Sequence, residues 1–106
     1  MKHTSTYLII LSLFTALLFA FVIQPTPGSI KGRIIPANAA LHAWAVSNQD
    51  TGTGVIQNGA FVINNLKEGR YRVIIEGLHP YKTTDKLDVV VTGGNITDVG
   101  DITLDQ

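Results

Sequence analysis

Residues 7–23 (YLIILSLFTALLFAFVI) run for 17 positions without a charge, and this stretch decides how much of the chain is left for a water-soluble fold. Lys2 and His3 precede it, and Gln24, Pro25, Thr26 and Pro27 close it. A short positive segment, a long apolar run and a polar break form the layout of a secretory signal. The run exceeds the usual signal core of about 7–15 residues and falls short of the roughly 20 that span a bilayer comfortably. Two readings therefore stand side by side, a cleaved signal and an uncleaved N-terminal anchor helix. Cleavage after Ala20 would place Leu18 where a small residue is wanted, and the nearest A-x-A triplet, Ala37-Asn38-Ala39, lies too far along. Both readings keep the positive flank inside. Both predict an exported remainder: periplasmic, at the cell surface or secreted, and held in the membrane through residues 7–23 if these are retained.

The domain organisation follows: residues 1–27 as signal or anchor with a short Pro-containing linker, and residues 28–106 as one small folded unit. Whole-chain averages of 45% hydrophobic and zero net charge describe neither piece. Lys2 is the only ionised side chain before Lys31, so the remainder holds seven Lys/Arg against eight Asp/Glu, 7 − 8 = −1. A slightly acidic domain of this size has no basic surface for nucleic acid and little room for a catalytic cleft. With no cysteine, it has neither disulfides nor a thiol for lipid attachment, so its stability must come from apolar burial.

After Pro27 the pattern changes to short runs rich in β-branched and aromatic residues, separated by Gly, Asn, Asp and Pro. Strands are predicted at about Ser29–Ile35, Leu41–Ser47, Gly54–Gln57, Ala60–Ile63, Arg70–Glu76, Lys86–Thr92 and Ile96–Leu104. Asn58-Gly59 between two apolar runs is the strongest hairpin signal, because both central positions of a type I′ turn need positive φ. Seven short strands at this spacing, with no helix pattern after residue 27, predict an all-β fold, a seven-stranded antiparallel β-sandwich.

Alternation assigns the faces. Tyr71, Val73 and Ile75 are expected to point inward, with Arg70, Arg72, Ile74 and Glu76 outward. Ile74 breaks an otherwise clean pattern, so its strand is expected to be central with a partly covered outer face. In the second strand either Leu41, Ala43 and Ala45 or His42, Trp44 and Val46 face inward. The first set is small and fits a tight interior while the second would bury a histidine, so the first is favoured, which leaves Trp44 on a surface. The C-terminal apolar series Ile96, Val99, Ile102 and Leu104 is interrupted by Gly100, which predicts a bulge or bend that resets the register.

These residues resemble the carboxypeptidase regulatory-like family over essentially all of residues 28–106. The segment Gly59-Ala60-Phe61-Val62-Ile63-Asn64-Asn65-Leu66-Lys67-Glu68-Gly69-Arg70-Tyr71-Arg72-Val73 is similar to the family signature G-x-F-x-F-x-x-L-x-x-G-x-Y-x-V, with Ile63 where the second Phe is usual. The opening Ile30-Lys31-Gly32-Arg33-Ile34, followed by Pro36, resembles the family's first strand and turn. Val89-x-Val91, Gly94 and Val99-Gly100-x-Ile102-x-Leu104 resemble its end. The resemblance implies a transthyretin-like sandwich of Greek-key type. Each signature residue has a folding role, so the motif implies a fold and no chemistry.

A search for chemistry finds no site. A zinc site of the peptidase kind needs His-x-x-Glu, but Ala45 stands three after His42 and Lys82 three after His79. The exported serines, Ser29 and Ser47, lack a nucleophile elbow. Thr51-Gly52-Thr53-Gly54 has no Lys-Ser/Thr behind it and opens no helix, unlike a phosphate loop. Asp85, Asp88, Asp98, Asp101 and Asp105 do not follow the spacing of a calcium loop. No catalytic residue, metal ligand or cofactor is assigned. The expected function is a non-catalytic structural or protein-interaction module at the cell envelope. The alternative is a carbohydrate-binding module in which Trp44, Tyr81 and His42 form a sugar-stacking platform, since an exposed aromatic with a polar tip suits that chemistry.

Overall fold

The computed structural model describes residues 26–106, so the signal or anchor helix expected over 7–23 lies outside the described residues. Seven strands follow one another without a helix: β1 (Gly28–Ile35), β2 (Ala40–Val46), β3 (Thr51–Gln57), β4 (Ala60–Leu66), β5 (Gly69–Gly77), β6 (Thr84–Val91) and β7 (Ile96–Thr103). They form one mixed sheet in the order β6-β5-β2-β3-β4-β1-β7. The sheet curls until its two ends face each other. At that seam Thr97 Oγ1 donates to Val90 O at 2.7 Å and Lys86 Nζ to Val99 O at 3.0 Å. The expected all-β, seven-stranded class is present, but the expected strictly antiparallel arrangement is not. β1 and β7 run parallel, with Ser29 opposite Ile96 and Ile35 opposite Thr103.

β3 turns two layers into one sheet. Its first half pairs with β2 (Thr51↔Val46, Thr53↔Trp44) and its second half with β4 (Gly54↔Ile63, Gln57↔Ala60). Glycines make the crossing possible. A Cβ at Gly52 would stand 2.5 Å from Leu66 Cδ2, and one at Gly54 2.9 Å from Ile63 Cγ1. Glycine inside a strand pattern marks such a sharp bend, and the strand predicted from Gly54 begins three residues earlier, at Thr51.

The core is apolar throughout. Ile30, Ile34, Ala43, Ala45, Phe61, Ile63, Leu66, Tyr71, Val73, Ile75, Val89 and Val91 are buried, and no charged or polar side chain is buried among the described residues. The expected faces of β5 are present, and β5 lies between β2 and β6, with Ile74 half-buried opposite Trp44. The hairpin turn has Asn58 at φ 53° and Gly59 at φ 80°, the pair of positive values a type I′ turn requires. Gly100, at φ 75°, sits where the β1–β7 register slips between Lys31 and Arg33, the expected bulge.

Leu41, expected inside, lies outside the core, and Ile96 is exposed as well. Leu41 is 47% exposed because the β2–β5 register slips between Ala40 and His42, and the extra residue of that bulge is turned outward. Ala39 takes the buried place. Ile96 is 64% exposed, since it opens β7 at the rim, before the strand reaches the core.

Candidate functional site

The outer face of the β2–β5 pair carries the most organised surface cluster. Strand alternation that buries Ala43 and Ala45 turns His42 and Trp44 outward. Their rings stack with centroids 5.4 Å apart and planes at 28°. His42 Nδ1 lies 2.9 Å from Glu76 Oε2 on β5, directly across the ladder in the His42↔Glu76 register. A carboxylate only accepts, so Nδ1 is the donor in this contact. The edge of the imidazole is thus fixed while its face lies on the indole.

Further along the same face, Ile74 stands opposite Trp44 and Asp85 opposite Ile74. Arg72 Nε donates to Asp85 Oδ2 at 2.7 Å. Cross-strand pairs of this kind, half in water, contribute about 0.2–1 kcal/mol each. The resulting surface has an aromatic and aliphatic centre (Trp44, Ile74) flanked by two polar pairs, His42–Glu76 and Arg72–Asp85.

Tyr81 is placed elsewhere. It lies in the β5–β6 loop and packs, half-buried, against the interior cluster. His42 and Trp44 come together, whereas Tyr81 joins neither ring. Glu76, the residue that orients His42, carried no signal in the sequence, because only the β2–β5 register brings the two together.

A second cluster occupies the end of the barrel where the chain enters, and sequence reasoning missed its acid. The β2–β3 turn is held by Ser47, whose Oγ accepts from Asp50 N at 3.0 Å. This presents the Asp50 carboxylate to the β4–β5 turn. Asp50 Oδ2 accepts from Lys67 N at 3.1 Å and from the Tyr71 hydroxyl at 3.2 Å, and Oδ1 accepts from Thr51 N at 3.0 Å. The Tyr71 hydroxyl has one proton, which it shares between Asp50 Oδ2 and the nearer Lys67 O at 2.7 Å, four residues upstream, the geometry of a tyrosine corner. The Lys67 amide, ahead of Thr51 and Tyr71, holds the Asp50 carboxyl below its ordinary value of 3.8. Burial, followed by the Asp50 charge, pushes the Tyr71 phenol above its ordinary 10.0.

These opposite shifts set a pH window. A depressed carboxyl contributes stability that is present above its unfolded value and lost as pH falls through the lower folded value. A raised phenol contributes stability that is present below its unfolded value and lost as pH rises through the higher folded one. Melting temperature is therefore expected to be flat in the middle range, falling below about pH 3.8 and above about pH 10. In Asp50→Asn the acid-side slope should shrink. Circular-dichroism melts across pH test this, and an Asp50→Asn profile identical to wild type on the acid side would show that other carboxylates carry the slope.

The remaining acids are dispersed. Asp98 Oδ1 accepts from Gly100 N at 2.9 Å and braces the β7 bulge. Asp88 is 3.9 Å from Arg70 with both side chains open to water. No three His, Cys, Asp or Glu converge on a metal-sized point among the described residues. A shallow groove along β1 and β7 is lined by Lys31, Arg33, Asp98 and Asp101, on both sides of Gly32 and Gly100.

No protein-family model matches this chain, and comparison with curated proteins and with solved structures likewise yields no match.

Proposed function

We propose that this protein is an exported, non-catalytic β-sandwich module of the carboxypeptidase regulatory-like, transthyretin type, which binds a protein partner at the cell envelope through the outer face of β2 and β5. The carrying observation is the contrast between an all-apolar interior and a surface on which His42, Trp44 and Glu76 are held in one geometry. A pre-positioned aromatic beside Ile74, with polar pairs around it, has the composition of an interaction hot spot and its rim. The signature running from Gly59 to Val73 supports the family reading. Phe61, Ile63, Leu66 and Tyr71 all face the interior, the folding roles the resemblance implies.

Residues 1–27 act as signal or anchor. Thr26 and Pro27 lie against the β6–β7 turn, where Gly94 N donates to Pro27 O at 3.1 Å. An anchored domain would therefore turn the Ser47–Asp50, Lys67–Glu68 and Thr92–Asn95 turns towards the bilayer.

The His42–Trp44 stack also favours a second reading, a glycan lying on the indole with Glu76 and His42 Nε2 as polar contacts. One experiment separates the two. Trp44 is the only tryptophan, so its emission reports directly on the face. Under the protein-partner reading, glycan arrays and oligosaccharide titrations leave that emission unchanged, and envelope partners retained by wild type are lost by Trp44→Ala. A hot-spot truncation weakens binding by about 2 kcal/mol or more, roughly thirtyfold. Saturable quenching by an oligosaccharide would select the glycan. Equal retention of partners by Trp44→Ala, with no response to glycans, would remove the function from this face.

A further inference from the structure

The sheet ends in two free strands that lie side by side. β6 and β7 are joined by a turn of only a few residues, Thr92–Asn95, yet they stand at opposite ends of the strand order and share no ladder. A connection that short ordinarily produces a paired hairpin. Here each edge keeps a row of backbone groups unused by its own sheet, the arrangement that invites pairing with another chain.

Among the described residues, two side-chain hydrogen bonds cross between these strands. Thr97 Oγ1 donates to Val90 O at 2.7 Å, and Lys86 Nζ donates to Val99 O at 3.0 Å. Each occupies an edge carbonyl that a neighbouring strand would otherwise take. Lys86 faces Val73 in the β5–β6 register, so its stem starts on the core side of β6 and its ammonium reaches across the opening. Both edges are also bulged close by. Asp88 is at φ 57° where the β5–β6 register slips between Tyr71 and Val73, and Gly100 is at φ 75° on β7. Inward-pointing lysine and edge bulges are two of the devices by which natural sheets resist edge-to-edge pairing. The need for them is visible alongside: Leu87, Val90 and Ile96 are 64%, 48% and 64% exposed.

We propose that Lys86 and Thr97 are latches that close the β6–β7 seam and keep it from pairing with the seam of a second copy of this chain. A second copy is the fitting occupant because the seam is self-complementary. Moving from Val90 to Lys86 on β6 corresponds to moving from Thr97 to Val99 on β7, so the two edges lie antiparallel. The same relation can be made between copies, β6 of each on β7 of the other, as a closed two-fold pair. Association of that kind adds main-chain hydrogen bonds and covers the three apolar side chains at once.

The test uses the full exported chain, in detergent if it retains its N-terminal segment, with Lys86→Met and Thr97→Val singly and together. Thr97→Val keeps the shape and removes the hydroxyl donor, and Lys86→Met keeps an unbranched apolar stem and removes the ammonium, with Lys86→Arg as the variant that retains charge and donor. Molecular mass by light scattering and amide hydrogen exchange are followed over a concentration series. Wild type and Lys86→Arg are expected to stay monomeric, while the double variant dimerises with its dissociation constant lowered about tenfold or more. Amides of β6 and β7 should gain protection as concentration rises. Adding Val90→Pro to the double variant, at a position whose backbone faces the seam, should restore the monomer. If the double variant unfolds, each single variant carries the same expectation at smaller amplitude. A monomeric double variant, a wild type that dimerises equally well, or a dimer that survives Val90→Pro overturns the proposal.

Discussion

Phe61→Ala is expected to destabilise the domain by about 3–5 kcal/mol, as truncation of a fully buried phenylalanine does. Phe61 is 1% exposed and sits on β4 between two partners, Gly32 on β1 and Ile56 on β3. A Cβ at Gly32 would be 2.7 Å from ring atoms Cε1 and Cζ, and 2.7 Å from Val99 Cγ2. The ring therefore fills, beside Val99, the space that glycine leaves open. The cavity would open under β1, the strand joining β4 to the parallel edge β7. In a domain of this size each kcal/mol moves the melting temperature by about 4–8 °C, so a fall of more than about 10 °C is expected. Val62→Ala, at the adjacent outward position that is 40% exposed, should stay within about 1 kcal/mol of wild type. Equal melting of wild type and Phe61→Ala would show that β4 does not pack as described.

How much of this could be read from the sequence depended on whether the deciding interaction was local. The Asn58-Gly59 turn depends on two backbone angles, so the dipeptide alone identified it. The β5 faces follow from Tyr71, Val73 and Ile75 alternating with polar neighbours, and Gly100 announced its bulge by interrupting an apolar series. The parallel β1–β7 pairing had no such marker. It joins the first and last strands, and alternation is blind to strand direction. The third strand was predicted to start only at Gly54, because glycine disfavours strands, yet Gly52 and Gly54 are what allow β3 to serve both layers. Leu41 shows the same limit at one residue. A bulge that depends on the partner strand shifts which residue is buried, and the β2 sequence alone contains no trace of it.

The candidate surface divides along the same line. Outward placement of Trp44 followed from the small residues Ala43 and Ala45 on the other side of β2. Grouping Tyr81 with Trp44 required knowing where the β5–β6 loop folds, and that loop packs its tyrosine against the interior. Glu76 and Asp50 illustrate the converse. Each acquires its role from long-range contacts, with His42 in one case and with Lys67 and Tyr71 in the other, and a lone acid in a polar context carries no mark of them.

Tyr71 gives the second large effect, because one side chain combines core volume with the corner's hydrogen bonds. Its ring is 2% exposed beside Val73 on the inward face of β5, and its hydroxyl reaches Lys67 O and Asp50 Oδ2. Tyr71→Ala is expected to cost about 3–5 kcal/mol from lost packing alone. Tyr71→Phe keeps the ring and removes only the hydroxyl, for an expected loss of about 1–2 kcal/mol. The difference between the variants separates packing from hydrogen bonding. The corner also ties the β2–β3 turn to the β4–β5 turn, so Tyr71→Phe should speed amide exchange at Thr51 and Lys67 and leave the distant Asn58-Gly59 turn unchanged. The alkaline fall in stability should shrink in the same variant, since the ionising phenol is gone. Tyr71→Phe melting like wild type, with unchanged exchange at Lys67, would mean that the two turns are held by Asp50 and Ser47 alone and that the tyrosine contributes only its ring.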